Sequence, residues 1–189
     1  MTLNNDIAFE RVDRSVSLSD ANLRGSLFGL APALVVVVAH IWFQGASGLL
    51  DSLGSLWWWI AVVVGIAVHE GLHAIGWMLA GRLPPGVISF GIDRQTLSPY
   101  AHTRQPLSIN AYRFGTALPA LGLGVAPALI GIIGNLPAFT TFGALFLFAA
   151  GGDLLILWLI RNDPVYAMVA DHPSRAGCEV LLPITGHSR

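Results

Sequence analysis

The stretch His69-Glu70-Gly71-Leu72-His73 sets two imidazoles and a carboxylate within five residues. On a helix the i and i+4 positions share a face, so His69 and His73 can both turn toward one metal ion. Glu70 follows His69 by about 100° of helical rotation. Its carboxylate therefore falls beside the ion rather than on it, in place to take a proton from a metal-bound water. Two nitrogen ligands and a general base are the working parts of the zinc proteases. A third ligand has to come from elsewhere in the chain. Of its eleven acids, only Glu70 and Asp153 lie well inside apolar stretches.

The elements that must carry these groups are apolar to an unusual degree. Of 189 residues, 54% are hydrophobic and 11% charged, against roughly 25% charged in ordinary soluble domains. Mean hydropathy is +0.65, which points to a small polytopic membrane protein. Four spans are expected, at about 25–50, 56–80, 114–134 and 139–160, each long enough at ~1.5 Å per residue for a ~30 Å hydrocarbon core. His73 lies ~13 Å from Arg82 and Asp153 ~12 Å from Arg161 at helical rise. Spans two and four run in the same direction, so His73 and Asp153 should sit at similar depth. Asp153 can then complete a site of two histidines and one carboxylate whose fourth position holds water. Small residues before it, Gly151 and Gly152, would let another helix come close.

The expected fold is thus an all-α polytopic membrane protein with a β-hairpin-like interlude, 81–113, between the second and third helices. Within it Val87–Ile92 and Thr96–Ser98 read as short strands around the turn Asp93-Arg94-Gln95. A strand pair beside the site could bind an extended substrate by strand addition; an ordinary surface hairpin reads equally well. A polar arm, 1–24, precedes the spans, with Ser19-Asp20 expected to cap a short helix, and a polar tail follows, 161–189. All ten basic residues are arginines, and they fall in the arm, the interlude and the tail, none in the connections 51–55 and 135–138. The positive-inside rule then makes both termini cytoplasmic. No basic patch invites nucleic acid. The single cysteine, Cys178, excludes an internal disulfide framework and an all-cysteine metal site.

Other residues compete for a role. His40 lies near the middle of the first span, where an interhelical hydrogen bond is expected ahead of ligation. His102 reads as a solvated histidine or, alternatively, as a gating or substrate contact, and His172 and His187 have no assigned role. Gly45-Ala46-Ser47-Gly48 has the look of a serine-protease nucleophile motif. Ser47, however, sits at the outer end of its span with no base in reach, since His40 is two turns away and His69 and His73 lie in the inner half of span two.

Taken together, His69-Glu70-x-x-His73-x-x-Gly76, Tyr100-Ala101-His102 with Pro106, Gly152-Asp153, and Asp171-His172-Pro173-Ser174-Arg175-x-Gly177-Cys178 resemble the putative zincin peptidase family, small bacterial membrane proteins. The likeness covers roughly residues 60–182, and a more distant one runs to site-2 proteases. It implies zinc (Zn2+) as cofactor, ligands His69, His73 and Asp153, and Glu70 as base. It does not supply a substrate; with the apolar spans, the expected location is a bacterial inner membrane and the expected partners are the bilayer and a membrane-protein or peptide substrate. Asp171 reads as an anchor for the tail. The alternative is a non-proteolytic membrane protein binding a metal or haem through intramembrane histidines, His40 and His69 among them, for transport or structure. A scaffold without activity is a third reading.

Overall fold

The computed structural model describes residues 8–92 and 99–184. The expected turn Asp93–Gln95, the expected strand Thr96–Ser98 and His187 lie outside them. Helices α1 (Leu18–Gln44) and α2 (Leu56–Gly81) are each long and apolar enough to cross a membrane. So is the continuous helical stretch Ile109–Ile133. It divides into α3 (Ile109–Pro119), a π-helical segment at Ala120–Val125, and α4 (Ala126–Ile133). The fourth apolar stretch is broken. Helices α5 (Pro137–Ala149) and α6 (Gly151–Leu159) meet at 46°.

The helical expectation therefore holds with shifted bounds. The first helix starts at Leu18 rather than near 25. Ser17, not Ser19 or Asp20, caps it by accepting the Asp20 amide at 3.1 Å, which is what an N-cap hydroxyl does for an otherwise unpaired N–H. Gly45 ends the helix at φ 87°, a conformation open to glycine without steric cost. Large apolar side chains face outward along the helices: Trp42, Trp57, Leu79 and Ile133 are each more than 70% exposed.

The all-α expectation holds for the spans, but the polar segments also form sheets. Strands β1 (Phe9–Val16), β4 (Leu107–Ser108), β5 (Met168–Asp171) and β6 (Ala176–Pro183) make one antiparallel sheet in the order β1-β6-β5-β4. Arm, interlude and tail are thereby tied together: β1 runs against β6, with Val12 opposite Val180. A second sheet pairs β2 (Ile88–Ile92) with β3 (Pro99–Thr103). The hairpin is present in the interlude, with its second strand at 99–103. A core of Trp77, Ile109, Tyr112, Val169, Cys178 and Val180 fills the junction between sheet and helices.

Helix packing follows the small residues. α1 lies on α5 and α6, and α2 lies on α3. Gly29 approaches the Phe148 backbone so closely that an added Cβ would stand 2.2 Å from its carbonyl oxygen. Gly151 meets the Gly25 carbonyl in the same way, at 2.0 Å. These contacts fix the first turn of α6, and with it Asp153, against α1.

Candidate metal centre

The α2–α3 crossing sets the centre. A Cβ on Gly76 would lie 2.6 Å from the Gly115 Cα, so the two backbones touch where both residues lack side chains. One turn before Gly76, His73 then meets the Gly115 carbonyl, with Nδ1 3.0 Å from the oxygen. That carbonyl is free for a reason written in the chain. Its helical donor would be the amide of residue 119, which is a proline and has none. On its other side the His73 ring stacks on Trp77, centroids 5.2 Å apart at 14°, and Trp77 stacks on Tyr112 at 5.7 Å and 18°. The Trp77 indole donates to the Tyr112 carbonyl at 3.2 Å, which locks the stack.

Asp153 enters from α6. It sits in that helix's first turn, where the unpaired amides favour negative charge. Its Oδ2 is 3.1 Å from His69 Nε2 and its Oδ1 is 3.3 Å from His73 Nε2. Ligand atoms of the three residues all lie within 4.8 Å of one another. The expected similar depth of His73 and Asp153 is thus direct contact.

The donor set fits a cation on its own chemistry. His73 must carry its proton on Nδ1 to bond the Gly115 carbonyl, so a neutral ring turns the Nε2 lone pair toward a carboxylate oxygen. Two acceptors face each other there, and only a proton or a metal ion between them makes the arrangement favourable. Two imidazoles and one carboxylate with a backbone carbonyl behind one ring is a zinc-type set with its outer support. Glu70 borders the same cavity but stands outside the converging trio. Ala101, on β3, lines the same cavity.

The cavity, about 480 Å³, runs from His69, His73 and Asp153 to the sheet end of the molecule. Its walls include Asn22 of α1, strand β3 from Pro99 to His102, and the loop His172–Gly177. Of three further residues at the site and its surroundings, sequence reasoning assigned Asp171 only an anchoring role, assigned His172 none and did not single out Gly115. Asp171 accepts the Tyr112 hydroxyl at 2.8 Å and the Thr103 amide at 2.7 Å. This is more than the tail anchor expected of it, since it joins β5 to α3 and β3. His172 borders the cavity with Nδ1 accepting the Ser174 and Arg175 amides at 3.2 and 3.0 Å. The Asp-His-Pro element was the available signal for both. Gly115 could have been found through Pro119, four residues on.

The remaining candidates fall elsewhere. His102 is on the cavity wall beside Tyr100, ring centroids 4.6 Å apart. His40 is fully buried and shares a 2.8 Å hydrogen bond with Thr140, thirteen residues ahead of Asp153 and so about 20 Å along the helices. The interhelical role expected of it is the one it has, and it does not border the cavity with His69. Ser47 lies in the turn after α1, where the neighbouring Gly48 packs on Pro137, outside the cavity wall.

The arrangement is one that could hold a metal ion beside a carboxylate-lined cavity. Residues 62–168, more than half of the chain, match the model of the putative zincin peptidase family, and the chain belongs to that family. Membership supports, at this coarse level, a zinc metalloprotease. No curated protein and no solved structure matches the chain, so the likeness to site-2 proteases rests on residue pattern alone.

Proposed function

We propose that the protein is an integral membrane zinc peptidase that hydrolyses peptide bonds within or beside the bilayer. His69, His73 and Asp153 hold the metal and Glu70 is the general base. The observation that carries this reading is the convergence of the three ligand atoms within 4.8 Å, with Glu70 bordering the same cavity. When bound, zinc supplies Lewis acidity toward water and carbonyl oxygen. Glu70 accepts the proton of the attacking water and returns it to the leaving amine. The Gly115 carbonyl holds the His73 tautomer, and the Trp77 ring holds its plane.

The membrane setting is supported by the helices that are long and apolar enough to span and by their outward tryptophans and aliphatics. Arginines at the sheet end favour a cytoplasmic location for both termini, at a bacterial inner membrane. A transmembrane substrate has its carbonyls in helical hydrogen bonds and must unwind locally before attack. β3 borders the cavity and pairs only with β2 among the described residues. Its other edge can receive such an extended segment by strand addition.

Metal analysis of the purified protein beside a cleavage assay tests the assignment. Wild type should carry one zinc, while His73→Ala and Asp153→Ala should lose it. Glu70→Gln should keep zinc and lose cleavage by about 10²–10⁴-fold, the range for a removed general acid–base. Zinc retained in both ligand variants ends the metal-centre reading, and cleavage undiminished in Glu70→Gln ends the base assignment.

A further inference from the structure

Among the described residues the Thr116 hydroxyl has nothing to bond. The residue is 2% exposed, and its Oγ1 has no hydrogen-bond partner there. A helical threonine ordinarily has a local outlet in the carbonyl one turn back. In this helix that is the Tyr112 carbonyl, which instead receives the Trp77 indole. A buried donor without an acceptor is disfavoured, and buried polar groups of this kind call for an explanation.

Its position supplies one. Thr116 borders the cavity that holds His69, Glu70, His73 and Asp153. It directly follows Gly115, which holds His73, and α3 packs against both α2 and α6, the two helices that carry the ligand trio. Asp153 has the complementary need. Both of its side-chain oxygens face imidazoles, at 3.1 and 3.3 Å. Once both rings turn their lone pairs to a metal, they no longer serve the carboxylate, and ligating carboxylates are in turn held by hydrogen bonds. The cavity lining then has a donor without an acceptor in Thr116 and an acceptor without a donor in Asp153.

We propose that Thr116 is a positioning residue of the metal centre, its hydroxyl donating to the Asp153 carboxylate in the metal-loaded protein. This rests on the reading of the trio as a zinc site, and it assigns the outer support of the carboxylate as Gly115 supplies that of His73.

The test is zinc affinity of the full-length protein, measured by competition with a chromogenic chelator, for wild type, Thr116→Val, Thr116→Ala and Thr116→Ser. Both hydroxyl-free variants should bind zinc about 10–100-fold more weakly, the usual loss for an outer-shell partner, and Thr116→Ser should stay near wild type. The metal-free Thr116→Val protein should be at least as heat-stable as wild type, because it loses an unmet donor and keeps the volume. Wild-type affinity in the valine and alanine variants overturns the proposal, as does a serine variant as weak as they are. Those outcomes leave the zinc site standing, whereas a wild type that binds no zinc removes site and support together.

Discussion

Asp171 decides where the outer wall of the cavity stands. Its two oxygens receive a backbone amide from β3 and a phenol from α3, at 2.7 and 2.8 Å. Through Tyr112 the restraint runs on by ring stacking to Trp77 and to His73. Through Thr103 it reaches β3, the strand that lines the cavity together with Glu70. An Asp171→Asn amide can still accept one of the two bonds but turns a second donor toward the other. Leaving one such buried group unpaired costs about 1–3 kcal/mol. We expect Asp171→Asn to retain zinc, to melt lower, and to raise KM more than it lowers kcat, since the displaced strand is the one proposed to receive the substrate. Steady-state kinetics with zinc analysis check this, and an unchanged KM in the folded variant would reduce Asp171 to a stabilising contact. The convergence of His69, His73 and Asp153 was legible because helical spacing and charge within apolar runs are strong local constraints. Asp171 was not, because its partners Tyr112 and Thr103 are 59 and 68 residues away.

At the level of elements, adjacent glycines in α6 have opposite work to do. An added Cβ at Gly151 would stand 2.0 Å from the Gly25 carbonyl, whereas at Gly152 it meets nothing within 4 Å. The motif that includes Gly152-Asp153 gives no hint of this difference; packing does. Gly151→Val should force α1 and α6 apart, costing about 1–3 kcal/mol as overpacking does, and should drag Asp153 from the histidines with loss of zinc. Gly152→Ala should fold with wild-type stability or slightly better, since alanine is the better helix former. Thermal unfolding and zinc content of the pair read this directly, and equal behaviour of the two variants would contradict the α1–α6 contact. The apolar runs are enough to foresee the helices, and the small residues enough to foresee a close approach. The 46° break between α5 and α6 had its own signal in the Gly151-Gly152 pair that follows Ala150, since glycine pairs are among the usual sites of a helix kink, but those glycines read equally well as a close-packing surface within one straight span.

Across the whole molecule, the arm, interlude and tail act as one body at one end of the helices. Arg14 of β1 holds Asp163 through two bonds, at 3.0 and 2.8 Å, and Arg113 of α3 donates to the carbonyls of Ile160 and Asp163. Sheet and bundle are thus joined at the end of α6. The sheet itself was illegible in the sequence because β1 pairs with a strand more than 150 residues downstream, and short-range alternation cannot name so distant a partner. Cys178 reports on this assembly. It is fully buried on β6, opposite Arg14 on β1 and Asp171 on β5. Burial, with the carboxylates of Asp171 and Asp163 adding to it, pushes its thiol from an ordinary 9.0 up to about 12. The thiolate is the reactive form, so the native protein should resist iodoacetamide at pH 8, whereas the denatured chain should react at once. The sign of the linked stability follows. Below pH 9 the thiol is protonated whether folded or not and costs nothing. From about 9 to about 12 only the unfolded chain sheds the proton, so stability should fall across that window. Removing residues 1–16 strips β1 from β6 and should make Cys178 alkylate in an otherwise helical protein. Rapid labelling of the untruncated native chain at pH 8 would mean that arm and tail do not pair through β1 and β6, and that the outer wall of the cavity stands without their support.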